Sequence, residues 1–319
     1  MDKNTLISIR ESNNALAWAS SDWLCERSQD ITCELLQQTD PEGEVPQEEL
    51  YRALFAAFND LETIDPRMIR CLDASVYREN PYYKNIELPR TVSGDWEFTW
   101  LCYEPFETFL CDDILTLEDT REIPRMGYFT EKFSYPAVLQ NGREWMAVKP
   151  SEIESMAGPL ETISGKVVTF GLGLGYFAYM ASIKPDVQSV TVVEKDATVI
   201  SLFEKYILPQ FSQKDKIQIV QSDAFEYMET SLAEQGFDYA FVDIWHDSAD
   251  GLDLYMRTKP YEKLSPRTQF LYWVENTLLS ALRWKLFDMV LAACPDAESA
   301  MQKLSNASLS RLAAMDIIR

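Results

Sequence analysis

The stretch VVTFGLGLGYFAY, residues 167–179, joins a short apolar run to three closely spaced glycines and then to an aromatic segment. An apolar run of this length is typical of a buried strand, and glycines directly after it favour a tight turn into a helix. Further apolar runs follow, separated by helical patterns. Strands and helices that alternate in this way predict an α/β fold, with a parallel sheet and helices on both faces. The predicted strands are 166–170, 189–194, 216–221, 237–243 and 270–274.

The spacing of the glycines indicates which ligand the turn suits. They are Gly171, Gly173 and Gly175, whereas a dinucleotide-binding fingerprint needs its third glycine at the position of Tyr176. The pattern therefore fits a dinucleotide poorly. Ligands of open parallel sheets bind at the carboxyl ends of the strands, so the turn, with Leu172 at its centre, is still predicted to border a ligand site.

Acidic residues stand at the ends of the strands that follow. Glu194 ends the second predicted strand and precedes Lys195, Asp223 precedes Ala224 after the third, and Asp243 ends the fourth. A carboxylate at the end of the second strand can accept both hydroxyl protons of a ribose. Three carboxylates on one rim repel a phosphate and suit a nucleoside with a cationic centre.

The run 166–243 resembles the class I S-adenosylmethionine-dependent methyltransferases, a superfamily with a Rossmann-like sheet. VVTFGLGLG is similar to their first motif, VVEKD to their ribose motif, QSDAF to their adenine motif and FDYAFVD to their fourth motif. One departure is Thr169, where the family often has an acid. The resemblance implies S-adenosylmethionine as the cofactor. The cofactor-binding residues that it implies are Gly171, Leu172, Gly173, Gly175, Glu194, Lys195, Asp223, Ala224 and Asp243.

The loop after the fourth strand, DIWHDSADG at 243–251, is expected to face the transferred group. It contains His246, the only histidine of the chain. A neutral histidine can take a proton from an acceptor hydroxyl or amine, although a structural or surface role is the alternative. We predict an enzyme that transfers a methyl group to a small-molecule acceptor, with His246 and Asp243 as its catalytic residues.

Two narrower resemblances and one non-enzymatic interpretation stay open. The D-x-W-x-D pattern is similar to a loop of the catechol-type O-methyltransferases, which implies a Mg²⁺ site made of Asp243, Glu275 and Asn276. Asn276 could equally cap the helix that follows it. The acids Asp243, Asp247 and Asp250 match in part the loop of the spermidine synthase-like aminopropyltransferases. A cofactor-binding scaffold without activity is the remaining alternative.

Residues 1–150 differ in pattern from the rest of the chain. They begin with helical spacing of apolar residues and change to alternation typical of strands from Trp96. Asn141-Gly142 lies between two apolar runs and predicts a hairpin. We predict a helical and then β-rich cap domain over 1–150 that covers the pocket and selects the acceptor.

Residues 151–319 are the predicted Rossmann-like S-adenosylmethionine-binding domain. Its first helix is expected to begin with a capping box formed by Ser151 and Glu154. The segment 291–319 has a helical pattern instead of the usual strand hairpin. The sheet is therefore expected to stop at five strands, or to borrow a strand from the N-terminal part.

The composition excludes several classes of partner. The chain has 319 residues with 51 acidic and 29 basic side chains, a net charge of −22, and such a field repels nucleic acids and anionic lipids. A signal-peptide pattern, an apolar run of membrane-spanning length and metal-binding cysteine spacing are all missing from the sequence. We expect an acidic cytoplasmic protein without nucleic-acid or membrane partners, and leave a homodimer open.

Overall fold

The computed structural model of the protein describes residues 3–246 and 248–293. Helices come first, short and long strands follow, and strands then alternate with helices. The helices are α1 (Lys3–Asp22), α2 (Cys33–Thr39), α3 (Gln47–Phe58), α4 (Ala74–Arg78), α5 (Pro81–Asn85), α6 (Pro150–Thr162), α7 (Tyr176–Ile183), α8 (Ala197–Tyr206), α9 (Ala224–Thr230), α10 (Leu232–Gln235), α11 (Ser248–Leu264) and α12 (Glu275–Ala293). The strands are β1 (Ile69–Cys71), β2 (Thr91–Ser93), β3 (Trp96–Tyr103), β4 (Phe109–Leu110), β5 (Leu115–Thr116), β6 (Glu122–Ile123), β7 (Met126–Tyr128), β8 (Phe133–Gln140), β9 (Arg143–Ala147), β10 (Gly165–Phe170), β11 (Val187–Glu194), β12 (Ile217–Gln221), β13 (Tyr239–Val242) and β14 (Gln269–Tyr272).

The second half of the chain forms the predicted parallel sheet. Within the described residues it has five strands in the order β12-β11-β10-β13-β14, and each neighbouring pair is parallel. The chain moves outward from β10 to β12 and then crosses to β13 on the other side of β10. The strand order therefore reverses beside β10, and an α/β sheet of this kind binds its ligands at such a point. The predicted fold class is confirmed.

Both faces of this sheet are covered by helices. Val167 packs in one cluster with Phe177 of α7 and Phe203 of α8, whereas Val168 packs in a second cluster with Tyr227 of α9. Successive side chains of a strand point to opposite faces. The residues of β10 must therefore be apolar on both faces, which explains why the stretch 166–170 has an apolar run instead of an alternating pattern.

The β-rich part that precedes the parallel sheet is mainly antiparallel. Its largest sheet has the order β2-β3-β8-β9, and β8 and β9 are joined by Asn141 and Gly142. Both residues have positive φ, 53° and 75°, as a two-residue type I′ turn requires. The predicted hairpin is confirmed. The sheet packs on the outer side of α8, where the rings of Phe98 and Tyr206 are 5.9 Å apart.

The capping box predicted at the start of α6 is wrong. The helix begins at Pro150, with Lys149 as a cap residue that makes no side-chain cap bond. A proline has its φ fixed near the helical value and has no N–H to satisfy, so it starts the helix before Ser151. Glu154 lies within the helix and accepts a hydrogen bond from the Tyr77 hydroxyl at 2.8 Å.

The N-terminus of α12 is capped by a residue from the N-terminal part of the chain. The Asp113 carboxylate accepts hydrogen bonds from the backbone N–H groups of Asn276, at 2.9 Å, and Thr277, at 3.0 Å. The alternative role of Asn276 as the helix cap is therefore wrong. An ion pair between Arg10 and Asp288 joins α1 to the same helix.

Several expectations fall outside the described ranges. Asp247 and residues 294–319 belong to this group, so most of the expected C-terminal helical segment and the closing of the sheet stay predictions. None of the helices in the described part of the chain is long and apolar enough to cross a membrane.

Candidate functional site

A cavity of about 570 Å³ opens at the carboxyl ends of the parallel strands. One side is made by the glycine turn and by the loops after β11, β12 and β13. The other side, here termed the hairpin wall, consists of Gln140, Glu144, Trp145, Met146 and Ala147. The β8–β9 hairpin thus faces the strand ends across the cavity. The volume lies within the usual range for a small-molecule site.

The cavity brings together nearly all of the predicted site residues. The predicted residues that line it are Gly171, Leu172, Gly173, Glu194, Lys195, Asp223, Ala224, Asp243 and His246. Gly175 is not among the lining residues. It is the left-handed N-cap of α7, and the Phe203 ring lies where a side chain at this position would stand. Gly175 therefore positions the turn without bordering the cavity.

The first glycine holds the turn close to the neighbouring strand. Gly171 has φ +96°, and its N–H donates to the carbonyl oxygen of Val193 at 2.9 Å. A Cβ at this position would overlap the carbonyl oxygen of Asp243. Only glycine fits there, because the side chain of any other residue would meet backbone that is already fixed in the sheet.

Glu194 connects the glycine turn to the loop after β11. Its carboxylate accepts the N–H of Leu172 at 3.2 Å and the N–H of Asp196 at 2.8 Å, one on each oxygen. The residue is 8 % exposed and lines the cavity. Each carboxylate oxygen can accept more than one hydrogen bond, so Glu194 keeps acceptor capacity for ligand hydroxyls.

Asp223 has a structural role in addition to its place at the cavity. Its carboxylate caps α9 by accepting the N–H groups of Phe225, at 2.9 Å, and Glu226, at 3.2 Å. Ala224 beside it is buried, and Lys195 is exposed at the cavity edge. The part of the cavity predicted to hold the adenine is therefore formed by the N-terminus of α9 and its capping carboxylate.

Two carboxyl groups that line the cavity lie close to each other. Asp243 is half-buried, and desolvation raises its pKa to about 7. Glu152, in the first turn of α6, is buried and lines the same cavity. Burial, the nearby Asp243 charge and Glu144 raise the pKa of Glu152 to about 8, against the opposing effect of Lys149. Groups that titrate near neutral pH in a cleft are suited to binding cations and exchanging protons.

Glu152 is the site residue that our sequence interpretation missed. Met156 and Leu160, four and eight residues later, share its helix face and are buried. An acid on the apolar face of an amphipathic helix is the signal that could have identified it.

His246 lies at the mouth of the cavity. Its side chain is 67 % exposed, and Nδ1 is 3.6 Å from a carboxylate oxygen of Asp250. The backbone N–H of His246 donates to the same carboxylate at 3.1 Å. The proposed role of His246 as a general base stays a prediction.

Tryptophans border the cavity on both sides. Trp96 and Trp145 are edge to face with ring centroids 5.0 Å apart, and Trp245 and Trp273 line the opposite part. The Trp273 indole is oriented by a hydrogen bond to the Ser155 hydroxyl at 3.0 Å. These rings supply apolar area and negative π faces that can attract a cation.

The three residues considered for magnesium do not form a common site. Glu275 accepts hydrogen bonds from the Tyr255 hydroxyl, at 2.7 Å, and from Lys259, at 3.3 Å. Neither Glu275 nor Asn276 lines the cavity that contains Asp243. Over 3–246 and 248–293, acidic, histidine and cysteine side chains form no group of three placed to hold a metal. The donor set therefore does not fit Mg²⁺, because its second carboxylate is already paired with an ammonium group.

No protein-family model matches the chain, and no curated protein matches it in sequence. Similar solved structures include a spermidine synthase from Thermotoga maritima, with TM-score 0.33 and 17 % identity over 48 % of this chain and 58 % of that chain. A spermidine synthase in complex with the transition state analogue AdoDATO gives TM-score 0.28 and 19 % identity, over 36 % and 43 % of the two chains. A putative O-methyltransferase from Klebsiella pneumoniae gives a TM-score of 0.26 and 18 % identity, over 33 % of this chain and 46 % of that chain. Each match spans less than two thirds of the known structure, so the fold assignment here depends on the strand order itself.

Proposed function

We propose that the chain is an S-adenosylmethionine-dependent methyltransferase that acts on a small, cationic acceptor. The observation that carries this proposal is one cavity at the strand-order reversal, lined by the glycine turn and Glu194 and also by the neighbouring carboxyl groups of Asp243 and Glu152. The first pair of features suits a nucleoside, and the second pair suits a positive charge.

The residues around the cavity fit a sulfonium nucleoside. The turn at Gly171 and Gly173 permits close approach to the backbone, Glu194 would accept the ribose hydroxyls, and Asp223 and Ala224 would border the base. When bound, the cofactor supplies an electrophilic carbon attached to a positively charged sulfur. Acidic side chains near that sulfur would favour binding of the positively charged donor.

The chain's own part in the reaction is to orient the acceptor and remove its proton. Displacement at carbon needs the acceptor atom in line with the carbon–sulfur bond. The hairpin wall and the tryptophans would restrict the acceptor's position and exclude water. Asp243 would take the acceptor's proton, since its pKa of about 7 leaves it partly ionised near neutral pH.

Aminopropyl transfer is the second candidate. It is favoured by Glu152 and Asp243, two neighbouring carboxyl groups of the cavity lining that remain once Lys149 is paired with Glu144. This surplus of negative charge suits an acceptor with more than one ammonium group. It also suits a donor that has lost its own carboxylate.

A product assay separates these candidates. The protein is incubated with a pool of small mono- and diamines and either S-adenosylmethionine or its decarboxylated form, and products are identified by mass spectrometry against a reaction without protein. We expect an acceptor heavier by one methyl group with S-adenosylmethionine. Aminopropylated amines from the decarboxylated donor alone would favour the second candidate. Absence of product with both donors would contradict transferase activity and favour a scaffold.

A further inference from the structure

Glu152 is a buried acid without a hydrogen-bond donor. It is 7 % exposed, and among the described residues none donates a hydrogen bond to its carboxyl group. The carboxyl group borders the cavity. Burying an ionised carboxylate without a partner is unfavourable by several kcal/mol, so such a group stays largely protonated unless a ligand supplies a positive charge.

The charges that face Glu152 leave it unneutralised. Lys149 is the nearby cation, but its Nζ is 2.6 Å from a carboxylate oxygen of Glu144 and is therefore already paired. The remaining charged neighbour is Asp243, a second carboxyl group. Glu152 and Asp243 can therefore pair with positive charge from a ligand, and within the described ranges Glu152 has no cation of its own beside it that is free to do so.

We propose that Glu152 binds the ammonium group of the acceptor, together with Asp243, and so makes the site specific for amines over neutral alcohols. The assignment of that amine as a reaction partner rests on the proposed function, whereas the charge preference does not. An ammonium group can pair with the two carboxyl groups in their ionised form, whereas a neutral hydroxyl supplies no charge that would offset the cost of ionising them in a desolvated site.

Binding and reaction then follow a defined proton balance. In the free site Glu152, with a pKa of about 8, is mostly protonated at pH 7. An ammonium group stabilises the ionised form, so binding releases a proton to solvent, and amine affinity rises with pH from about 6 to 8.5 while the amine stays charged. For transfer, the ammonium passes one proton to a carboxylate. Its nitrogen lone pair forms the bond to carbon, and the carbon–sulfur pair moves to sulfur, which becomes a neutral thioether.

Isothermal titration calorimetry tests this role by comparing the binding of n-butylamine with that of n-butanol, its uncharged analogue. The titrations use wild type, Glu152→Gln and Glu161→Gln. Glu161 is an exposed acid on the same helix, so its variant makes the same charge change away from the cavity. We expect wild type to bind butylamine over butanol and to release about one proton or more at pH 7, measured in two buffers of different ionisation enthalpy. Glu152→Gln should weaken amine binding by about tenfold or more and should release fewer protons than wild type, because only Asp243 then ionises on binding. Glu161→Gln should match wild type.

Equal affinity of wild type and Glu152→Gln for butylamine, or no preference of wild type for butylamine over butanol, would overturn the proposal. The proton release of wild type tests it without any variant, in case Glu152→Gln does not fold. Repeating the titrations with S-adenosylhomocysteine present separates the two proposals. Amine binding without nucleoside binding would contradict the proposed methyltransferase activity and support the role of Glu152. Nucleoside binding without a preference for the amine would support the methyltransferase and contradict the role of Glu152.

Discussion

Replacing Asp243 by asparagine is expected to lower turnover by about 10²–10⁴-fold while donor affinity stays within a few-fold of wild type. The amide keeps the size of the side chain but cannot accept the acceptor's proton. Asp243 lines the cavity, and desolvation raises its pKa to about 7. Only the ionised form accepts a proton, so the kcat/KM of wild type should fall as pH drops below about 7, and Asp243→Asn should lose the part of this dependence that Asp243 contributes.

The same assay with His246→Ala decides between the two predicted bases. The His246 side chain is largely exposed, whereas Asp243 is half-buried in the lining of the cavity. Full activity of His246→Ala would remove the histidine from the chemistry. A loss of about 10²-fold or more in His246→Ala, with Asp243→Asn unaffected, would contradict the assignment of Asp243 and favour His246.

Substituting alanine for Gly171 is expected to abolish donor binding and to lower the free energy of unfolding by about 3 kcal/mol or more. The residue has φ +96°, and a Cβ would overlap the Asp243 carbonyl oxygen. The Asp243 backbone cannot easily move away from the added Cβ, because the Asp243 N–H donates a hydrogen bond to the Phe170 carbonyl oxygen at 2.9 Å. Chemical denaturation and calorimetry measure the two effects.

Gly236 offers a matched control for that variant. It also has positive φ, +66°, but a Cβ there would meet no atom within 4 Å. Gly236→Ala should therefore lose only about 1 kcal/mol, the conformational part of the penalty, and should bind donor normally. If Gly171→Ala were as stable as Gly236→Ala and bound donor equally well, the close packing of the turn would not be required for the site.

The parallel sheet was predictable because its signals are local. The central strands β10 and β13 are short and mostly buried and are followed directly by Gly171 and Asp243, so they appear in the sequence as apolar runs with clear limits. The same local signals predicted Gly171, Glu194 and Asp243 at one edge of the sheet, because each of them ends or directly follows a strand. Parallel strands end together, and this geometry needs no knowledge of the rest of the chain.

The parts that were not predictable depend on contacts between distant segments. Glu152 became a cavity residue because the hairpin wall and α6 meet the strand ends, and its local sequence suggested a helix cap. The cap of α12 is Asp113, which precedes Asn276 by 163 residues. Local patterns contain no information about such a partner, so Glu275 and Asn276 could be assigned to a metal site that the fold does not form.

Calorimetric titration of the purified protein with S-adenosylhomocysteine, with NAD as the comparison, tests the central claim most directly. The nucleoside should bind at one site per chain, NAD should not bind, and Glu194→Ala, checked for its fold by circular dichroism, should weaken binding by about 1.5–3 kcal/mol through the loss of charge-assisted hydrogen bonds. Binding of NAD without binding of S-adenosylhomocysteine, or an unchanged dissociation constant in a folded Glu194→Ala protein, would contradict the account.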